Sequence, residues 1–220
     1  MYLNAISGPI YTFCVWFYRL AFINLLWIFF TILGLGLFGS FPATVALLAT
    51  IRQLLNQNEG SIIKTFWTFY KEEFVKSNVV GLSVILLSLI LISNIQFLQT
   101  MSTGISQAFY LATIIIACFF LLVVCYFLSL YVEFQAPFKT HLKNAVLLAI
   151  YNPVASLTMI FGFVGVYFLV SFISGIGLFF SMSALGLVVL LSAKLAFRKV
   201  NQDDGVAEAE SGRIRRNPSA

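Results

Sequence analysis

Apolar residues fill long uninterrupted stretches of this chain, and polar residues are confined to the segments between them. Each of five stretches is close to the about 20 residues that a helix needs to cross a bilayer. The stretch from 154 to 193 has no charged residue. As one helix, at 1.5 Å per residue, it would be about twice as long as one crossing requires. The small residues of 171–177 therefore predict a turn within it. The pattern predicts five transmembrane helices, at about 20–38, 79–98, 109–132, 154–170 and 178–193.

Three other segments have helical periodicity with a polar face. They cover residues 41–56, 61–76 and 138–151, and each places Lys or Arg on the polar positions. Ser40 and Ser61 are suitable N-cap residues for the first two. We expect these helices on the cytoplasmic side, where two arrangements are open. They lie on the membrane surface, or they pack beneath the bundle.

The predicted fold class is all-α, a polytopic membrane helix bundle with five transmembrane helices and cytoplasmic amphipathic helices. Residues 1–197 form this single membrane domain. Residues 198–220 are polar, mixed in charge and poor in apolar side chains, which predicts a disordered cytoplasmic tail.

Charge sets the predicted orientation. The chain is 60% hydrophobic and 10% charged, whereas about 25% of the residues of a soluble domain are charged. Twelve of the 13 Lys and Arg residues lie in 39–77, in 133–153 or after the last span. The positive-inside rule makes these segments cytoplasmic, so five spans place the N-terminus outside and the C-terminus inside. The net charge of +5 suits an anionic lipid leaflet. The sequence has no basic, aromatic-rich soluble module, so nucleic acid is not predicted as a partner.

Four polar residues in or near the spans are candidate functional residues. Arg19 is the basic residue outside the cytoplasmic set. It either extends to the outer headgroups or binds an anionic group or a neighbouring chain. Asn24 is expected to join helices, as intramembrane Asn commonly does. Asn78 opens the second span, and Glu133 is expected to be an interfacial carboxylate at the inner end of the third.

No residue pattern predicts catalysis. His141 is the single histidine and lies in a basic segment without a neighbouring carboxylate, and no phosphate-binding glycine motif occurs. Cys14, Cys118 and Cys125 lie among apolar residues without a CxxC pair, so neither a metal site nor a cofactor is predicted. The expectation is a protein that is not an enzyme.

The first 80 residues resemble a known family. The segments Asn24–Trp27, Gly39–Thr44 and Ile51–Arg52, followed by the aromatic and basic helix from Phe66 to Asn78, resemble the YesL-like family of bacterial integral membrane proteins of unknown function. Genes of this family often lie near those of sugar ABC transporters. The resemblance therefore implies the bacterial cell membrane and a role accessory to carbohydrate uptake, and it carries over no catalytic residue.

Two functions follow from these expectations. The first is a non-enzymatic accessory or regulatory protein linked to sugar uptake. In it, helices 41–56 and 61–76 dock a partner, and the five spans pack against a sugar ABC transporter permease or a second copy of the chain. The second is a small oligomeric transport or channel subunit that moves a solute itself. Its polar path would be lined by Asn24, Asn78, Ser83, Ser88 and Asn94.

Overall fold

The structure, a computed structural model, describes residues 2–57, 60–101, 103–172 and 175–216, with side chains from residue 10 to residue 197 of these ranges. The described residues form eight helices and no strand, so the all-α prediction is confirmed. The helices are α1 Tyr2–Leu33, α2 Leu37–Leu55, α3 Ile62–Glu72, α4 Phe74–Gln99, α5 Gly104–Glu133, α6 Phe138–Tyr151, α7 Pro153–Phe172 and α8 Ile176–Arg216.

Six stretches of helix are long and apolar enough to cross a membrane, which makes this a multi-pass membrane protein. They are Ile10–Leu33, Leu37–Leu55, Phe74–Gln99, Gly104–Glu133, Pro153–Phe172 and Ile176–Phe197 among the described residues. Five of them contain most or all of the five predicted spans. The sixth is α2, which the sequence pattern assigned to the cytoplasmic surface.

Helix α2 lies inside the bundle, whereas the sequence predicted a cytoplasmic amphipathic helix at 41–56, on the membrane surface or beneath the bundle. It packs against α1, α3, α4, α5 and α8, and ten of its residues are buried. Its polar side chains find partners there, because Thr44 accepts a hydrogen bond from Trp27, and Thr50 donates to the Ala46 carbonyl. A helix whose polar groups are satisfied can be buried despite an amphipathic sequence.

Helices α1 and α2 form a hairpin in which their backbones lie close together near the turn. The turn between them uses Leu35 and Gly36, both with positive φ, at 62° and 76°. Just beyond the turn, Gly39 lies directly against the backbone of α1. A Cβ atom at this position would be 2.5 Å from the Thr31 carbonyl oxygen, so glycine is needed here to bring the two helices together.

Helices α3 and α6 are the amphipathic helices of the structure. Helix α3 packs on α2 and buries Phe66 and Tyr70, and α6 packs on α5 and buries His141. The predicted helix 61–76 is divided near Glu73, where α3 ends and α4 begins. Both helices keep an exposed basic face, with Lys64 and Lys71 on α3 and Lys139 and Lys143 on α6.

The C-terminal segment differs from the prediction of a disordered tail. The structure continues α8 without a break from the last span to Arg216, and residues 217–220 lie outside the described part. The α7–α8 connection is within the predicted 171–177, with residues 173–174 outside the described part and Gly175 at φ 91°.

Candidate functional site

The cavity around Arg19 joins two parts of the chain that the sequence pattern placed on opposite faces of the membrane. It has a volume of about 550 Å³ and is lined by Trp16, Arg19, Leu54, Leu55, Gln57, Gly60 and Ile62. The first two residues belong to α1, and the others come from the end of α2, the α2–α3 connection and the start of α3. Arg19 is partly buried, and no described residue forms an ion pair or a hydrogen bond with its guanidinium. Arg19 therefore shares a cavity with residues that the sequence pattern assigns to the cytoplasmic side.

Asn24 is completely buried and bonds to the backbone of α8. Its Nδ2 donates to the Leu178 carbonyl at 2.8 Å, and its Oδ1 accepts from the backbone N–H groups of Met182 and Ser183 at 3.0 Å each. Leu178 and Met182 are four residues apart, the spacing of a backbone hydrogen bond within a helix. The Asn24 amide therefore inserts at the first turns of α8 and fastens α1 to it.

Asn78 lies near the start of α4 and does not line the Arg19 cavity. Its Nδ2 donates to the Phe74 carbonyl of its own helix at 2.7 Å, and its Oδ1 has no partner among the described residues. The neighbouring Ser77 lines a separate cavity of about 330 Å³, bounded by α2, α4, α5 and α6 and almost entirely apolar. Asn78 therefore bonds within α4 and leaves one buried acceptor without a partner among the described residues.

Glu133 ends α5 and pairs with Arg52 of α2. Its Oε2 lies 2.9 Å from Arg52 Nε, although the N–H does not point at the carboxylate. The guanidinium also donates from Nη2 to the Glu133 carbonyl at 3.2 Å. Because both side chains are partly exposed, we expect this pair to contribute about 1 kcal/mol or less to stability. It fixes the end of α2 against α5.

The sequence did not predict a cluster of polar side chains near the ends of α3 and α5, formed by Glu73, Tyr131 and His141. The Tyr131 hydroxyl donates to the Glu73 carboxylate, which also lies 3.6 Å from Lys76 Nζ. The His141 and Tyr131 rings pack edge to face, with centroids 5.7 Å apart, and Phe127 contacts the same imidazole. The signal for His141 was present in the sequence, because His141, Ala145 and Leu148 follow the helical spacing of a buried face.

Burial changes the ionisation of His141. Desolvation lowers its pKa below the usual value, and a hydrogen bond with the Ala136 backbone opposes the shift in part. The imidazole is therefore neutral at pH 7. It is part of the packed α5–α6 contact.

Acidification is expected to destabilise the protein through His141. Because its folded pKa lies below the unfolded value of about 6.5, the unfolded chain binds the proton more readily. The contribution of the neutral His141 to the free energy of unfolding is therefore constant above about pH 6.5 and is lost as the pH falls below that value. Thermal unfolding in detergent between pH 7.5 and pH 5 measures this effect. His141→Phe should show a smaller fall in melting temperature than the native chain, and equal falls would contradict the assignment.

The residues of the hypothetical polar path lie on two different helices and bond to local partners. Asn24 is on α1, whereas the others are on α4. Ser83 and Ser88 donate to backbone carbonyls of their own helix, and Asn94 accepts from Thr113 of α5. Among the described residues, no group of three or more His, Cys, Asp or Glu side chains is placed to hold a metal ion.

Comparisons with known proteins agree with the resemblance noted above. A family profile described as "Protein of unknown function, DUF624" matches residues 20–95, which include Asn24, Arg52 and Asn78. The uncharacterized protein YteU of Bacillus subtilis (strain 168) is 33% identical over 93% of this chain and 92% of its own length. The uncharacterized proteins YesV and YesL of the same organism are 31% and 30% identical, over 89% and 91% of this chain and 95% of each relative. No solved structure matches.

Proposed function

This chain belongs to the DUF624 family of proteins of unknown function, the YesL-like family, and from that premise we propose that it is a non-enzymatic protein accessory to carbohydrate uptake in the bacterial cell membrane. It acts by docking on the membrane subunit of a sugar ABC transporter. The link to sugar uptake rests on the family resemblance. The exposed face of α3 is the observation that carries the docking role.

Helix α3 is short, but its inner face is held firmly. The Phe66 ring is fully buried and stacks on Phe30 with centroids 5.2 Å apart, and the Tyr70 hydroxyl donates to the Phe30 carbonyl at 3.0 Å. Its outer face displays Trp67, which is 42% exposed, with Lys71 Nζ 5.2 Å from the ring centroid. A rigidly placed tryptophan beside basic residues is typical of protein interfaces, where large aromatic side chains supply much of the binding energy.

The docking surface is narrower than the sequence suggests. Helix 41–56 was expected to contribute, but its α2 residues are buried between five other helices and are not accessible to a partner. The docking role in this proposal therefore falls to the exposed face of α3, defined as Ile63, Lys64, Trp67 and Lys71. A second copy of the chain is the competing occupant of this surface.

We also propose a topology of six crossings with both termini in the cytoplasm. Adding α2 to the five predicted spans changes an odd number of crossings to an even one. The Arg19 cavity supports this, since Arg19 there lies beside Gln57 and Gly60, which belong to a basic segment between spans. All 13 Lys and Arg residues are then on the cytoplasmic side or at its boundary, as the positive-inside rule favours.

Changing the exposed face of α3 is expected to release the transporter. The variant Trp67→Ala with Lys71→Glu removes the aromatic anchor and reverses a charge. It also removes the Trp67 ring contacts with Phe30 and Tyr70, while the contact of Phe66 with Phe30 and the Tyr70 hydrogen bond remain. The amount of transporter membrane subunit that co-purifies in mild detergent should fall about tenfold or more, because loss of an interface anchor costs about 2 kcal/mol or more. Quantitative mass spectrometry of proteins purified from cells grown on different sugars measures it.

The matched control is Lys139→Glu on the exposed face of α6, which makes the same charge reversal on another helix. This variant should retain the transporter within about twofold, since surface charges away from the contact contribute little. Recovery of lone monomers from native cells, or an equal loss in both variants, would count against docking through α3. Solute flux in liposomes containing only this protein would instead favour the transport function.

A further inference from the structure

The apolar cavity bounded by α2, α4, α5 and α6 has a volume of about 330 Å³, and every residue that lines it is described. An apolar cavity of less than half that size, about 150 Å³, can hold a molecule as large as benzene. Protein interiors are close-packed, because atoms that line an empty space lose their dispersion contacts. A space of this size between four helices is therefore expected to have an occupant.

The cavity opens on an apolar surface of the bundle. Leu87 of α4 and Phe138 and Leu142 of α6 line it, and all three are exposed. The rest of α4 is also largely exposed, since its buried residues lie within 77–81. Because α4 is long and apolar enough to cross a membrane, the molecules around this opening are the acyl chains of the bilayer.

The length of the cavity matches the depth of one leaflet. Along α4 it extends from Ser77 to Leu87, and along α5 from Phe120 to Tyr131. At 1.5 Å per residue these lengths are about 15 Å and about 16 Å, and half of a hydrocarbon core of about 30 Å is about 15 Å. Helix α6 closes the end at Ser77 and Tyr131, where His141 packs on Tyr131. An acyl chain that enters at this α6 end would reach the middle of the bilayer along the cavity.

Polar side chains lie at the α6 end of the cavity. Ser77 is 4% exposed, and its hydroxyl has no hydrogen-bond partner among the described residues. A buried hydroxyl without a partner is costly, and the ester carbonyl at the start of a phospholipid acyl chain is a suitable acceptor. Tyr131 donates to Glu73, and the exposed Lys76, 3.6 Å from the same carboxylate, places a positive charge at the depth of a headgroup phosphate.

We propose that this cavity binds one acyl chain of a glycerophospholipid from the leaflet on the α6 side, with an ester carbonyl that accepts a hydrogen bond from Ser77. The bound chain fills the space between α4 and α6 and supplies a partner for the unpaired hydroxyl. None of the residues that line the cavity belongs to the exposed face of α3. This proposal and the docking proposal can therefore fail independently.

Native mass spectrometry of the full chain, released from nanodiscs of phosphatidylglycerol and phosphatidylcholine, counts the phospholipid molecules that stay bound. The native chain should retain one. Val84 lines the cavity, so Val84→Phe places a ring in it and should lower retention about fivefold or more, because the acyl chain loses contacts with the wall. The matched control is Val164→Phe at an exposed position of α7 outside the cavity. It should stay within about twofold of the native chain.

The variant Ser77→Ala tests the polar end without filling the cavity. Phospholipid retention should fall about fivefold through loss of one hydrogen bond. The melting temperature of the lipid-free protein in detergent should be unchanged or higher, because the variant removes an unpaired buried hydroxyl. A lower melting temperature with unchanged retention would contradict the proposal, since Ser77 would then act only in protein packing.

A photoactivatable phosphatidylcholine locates the acyl chain in the native protein, so this part of the test requires no variant to fold. A diazirine at the end of one acyl chain should label peptides around Leu87 and Phe120, and a diazirine beside the ester should label peptides around Ser77 and Tyr131. Circular dichroism confirms that each variant used for retention is folded. Equal retention in the Val84, Ser77 and control variants, with labels spread evenly over the apolar helices, would overturn the proposal.

Discussion

A fluorescent protein that folds only in the cytoplasm will fluoresce at both ends of this chain, whether it is fused before Met1 or after Ala220. Six crossings return the chain to the side on which it began, whereas five would leave the N-terminal fusion outside and dark. The expected difference at the N-terminus is all or none. Whole-cell fluorescence, normalised to the amount of fusion protein on a gel, measures it.

The structural reason for this expectation is the hairpin of α1 and α2. Trp27 bonds to Thr44 across the hairpin, and further from the turn Arg19 lies near Leu54 and Leu55. The two helices therefore run side by side over most of the length of α2. Since α1 is long enough to span the membrane, its partner α2 is positioned to cross as well.

Single cysteines provide the control for this experiment. In a chain with Cys14, Cys118 and Cys125 replaced, Thr100→Cys in the exposed α4–α5 connection should react with an impermeant thiol reagent in intact cells. Asn144→Cys on the exposed face of α6 should react only after the cells are opened. A dark N-terminal fusion together with this labelling pattern would restore an odd number of crossings and exclude the six-span topology.

Four of the spans could be predicted from sequence because their apolar character is local. Segments 79–98, 109–132, 154–170 and 178–193 lie within α4, α5, α7 and α8, and a long apolar run is sufficient to predict each of them. A helix was predicted at 41–56, but α2 was not predicted as a span because Arg52 interrupts its apolar pattern. Arg52 pairs with Glu133, 81 positions away, and the periodicity of α2 contains no information about that partner.

The candidate site shows the same division between local and distant information. Arg19 could be identified from sequence, since it breaks the alternation of basic and uncharged segments. Its surroundings could not, because the cavity forms only when the hairpin brings the end of α2 beside α1. The fully buried position of Asn24 likewise depends on α8, more than 150 residues later in the chain.

A methyl group added at Gly39 is expected to damage the fold, whereas the same change at Gly165 is expected to be harmless or stabilising. The Cβ atom of Gly39→Ala would lie 2.5 Å from the Thr31 oxygen, 2.8 Å from the Phe30 oxygen and 2.9 Å from the Gly34 Cα. All three atoms are backbone, so no side chain can rotate away. The two helices must separate, at a cost of about 1–3 kcal/mol or more.

That separation would also weaken contacts that depend on the hairpin. The Phe30 carbonyl is the acceptor for Tyr70, so a displaced α1 loosens the inner face of α3. We expect the melting temperature in detergent to fall by several degrees, since a chain of this size loses about 2–4 °C for each kcal/mol. Gly165→Ala is the matched control, because no atom lies within 4 Å of the added methyl group.

The control is expected to change stability in the opposite direction. Gly165 is exposed within α7, where alanine is favoured over glycine by about 0.8–1 kcal/mol in a helix interior. Equal melting temperatures for the two variants would show that the approach of α1 to α2 at Gly39 is not as close as the structure places it. A fall confined to Gly39→Ala would show that this hairpin, and with it the position of α2 inside the bundle, depends on the absence of a side chain at one residue.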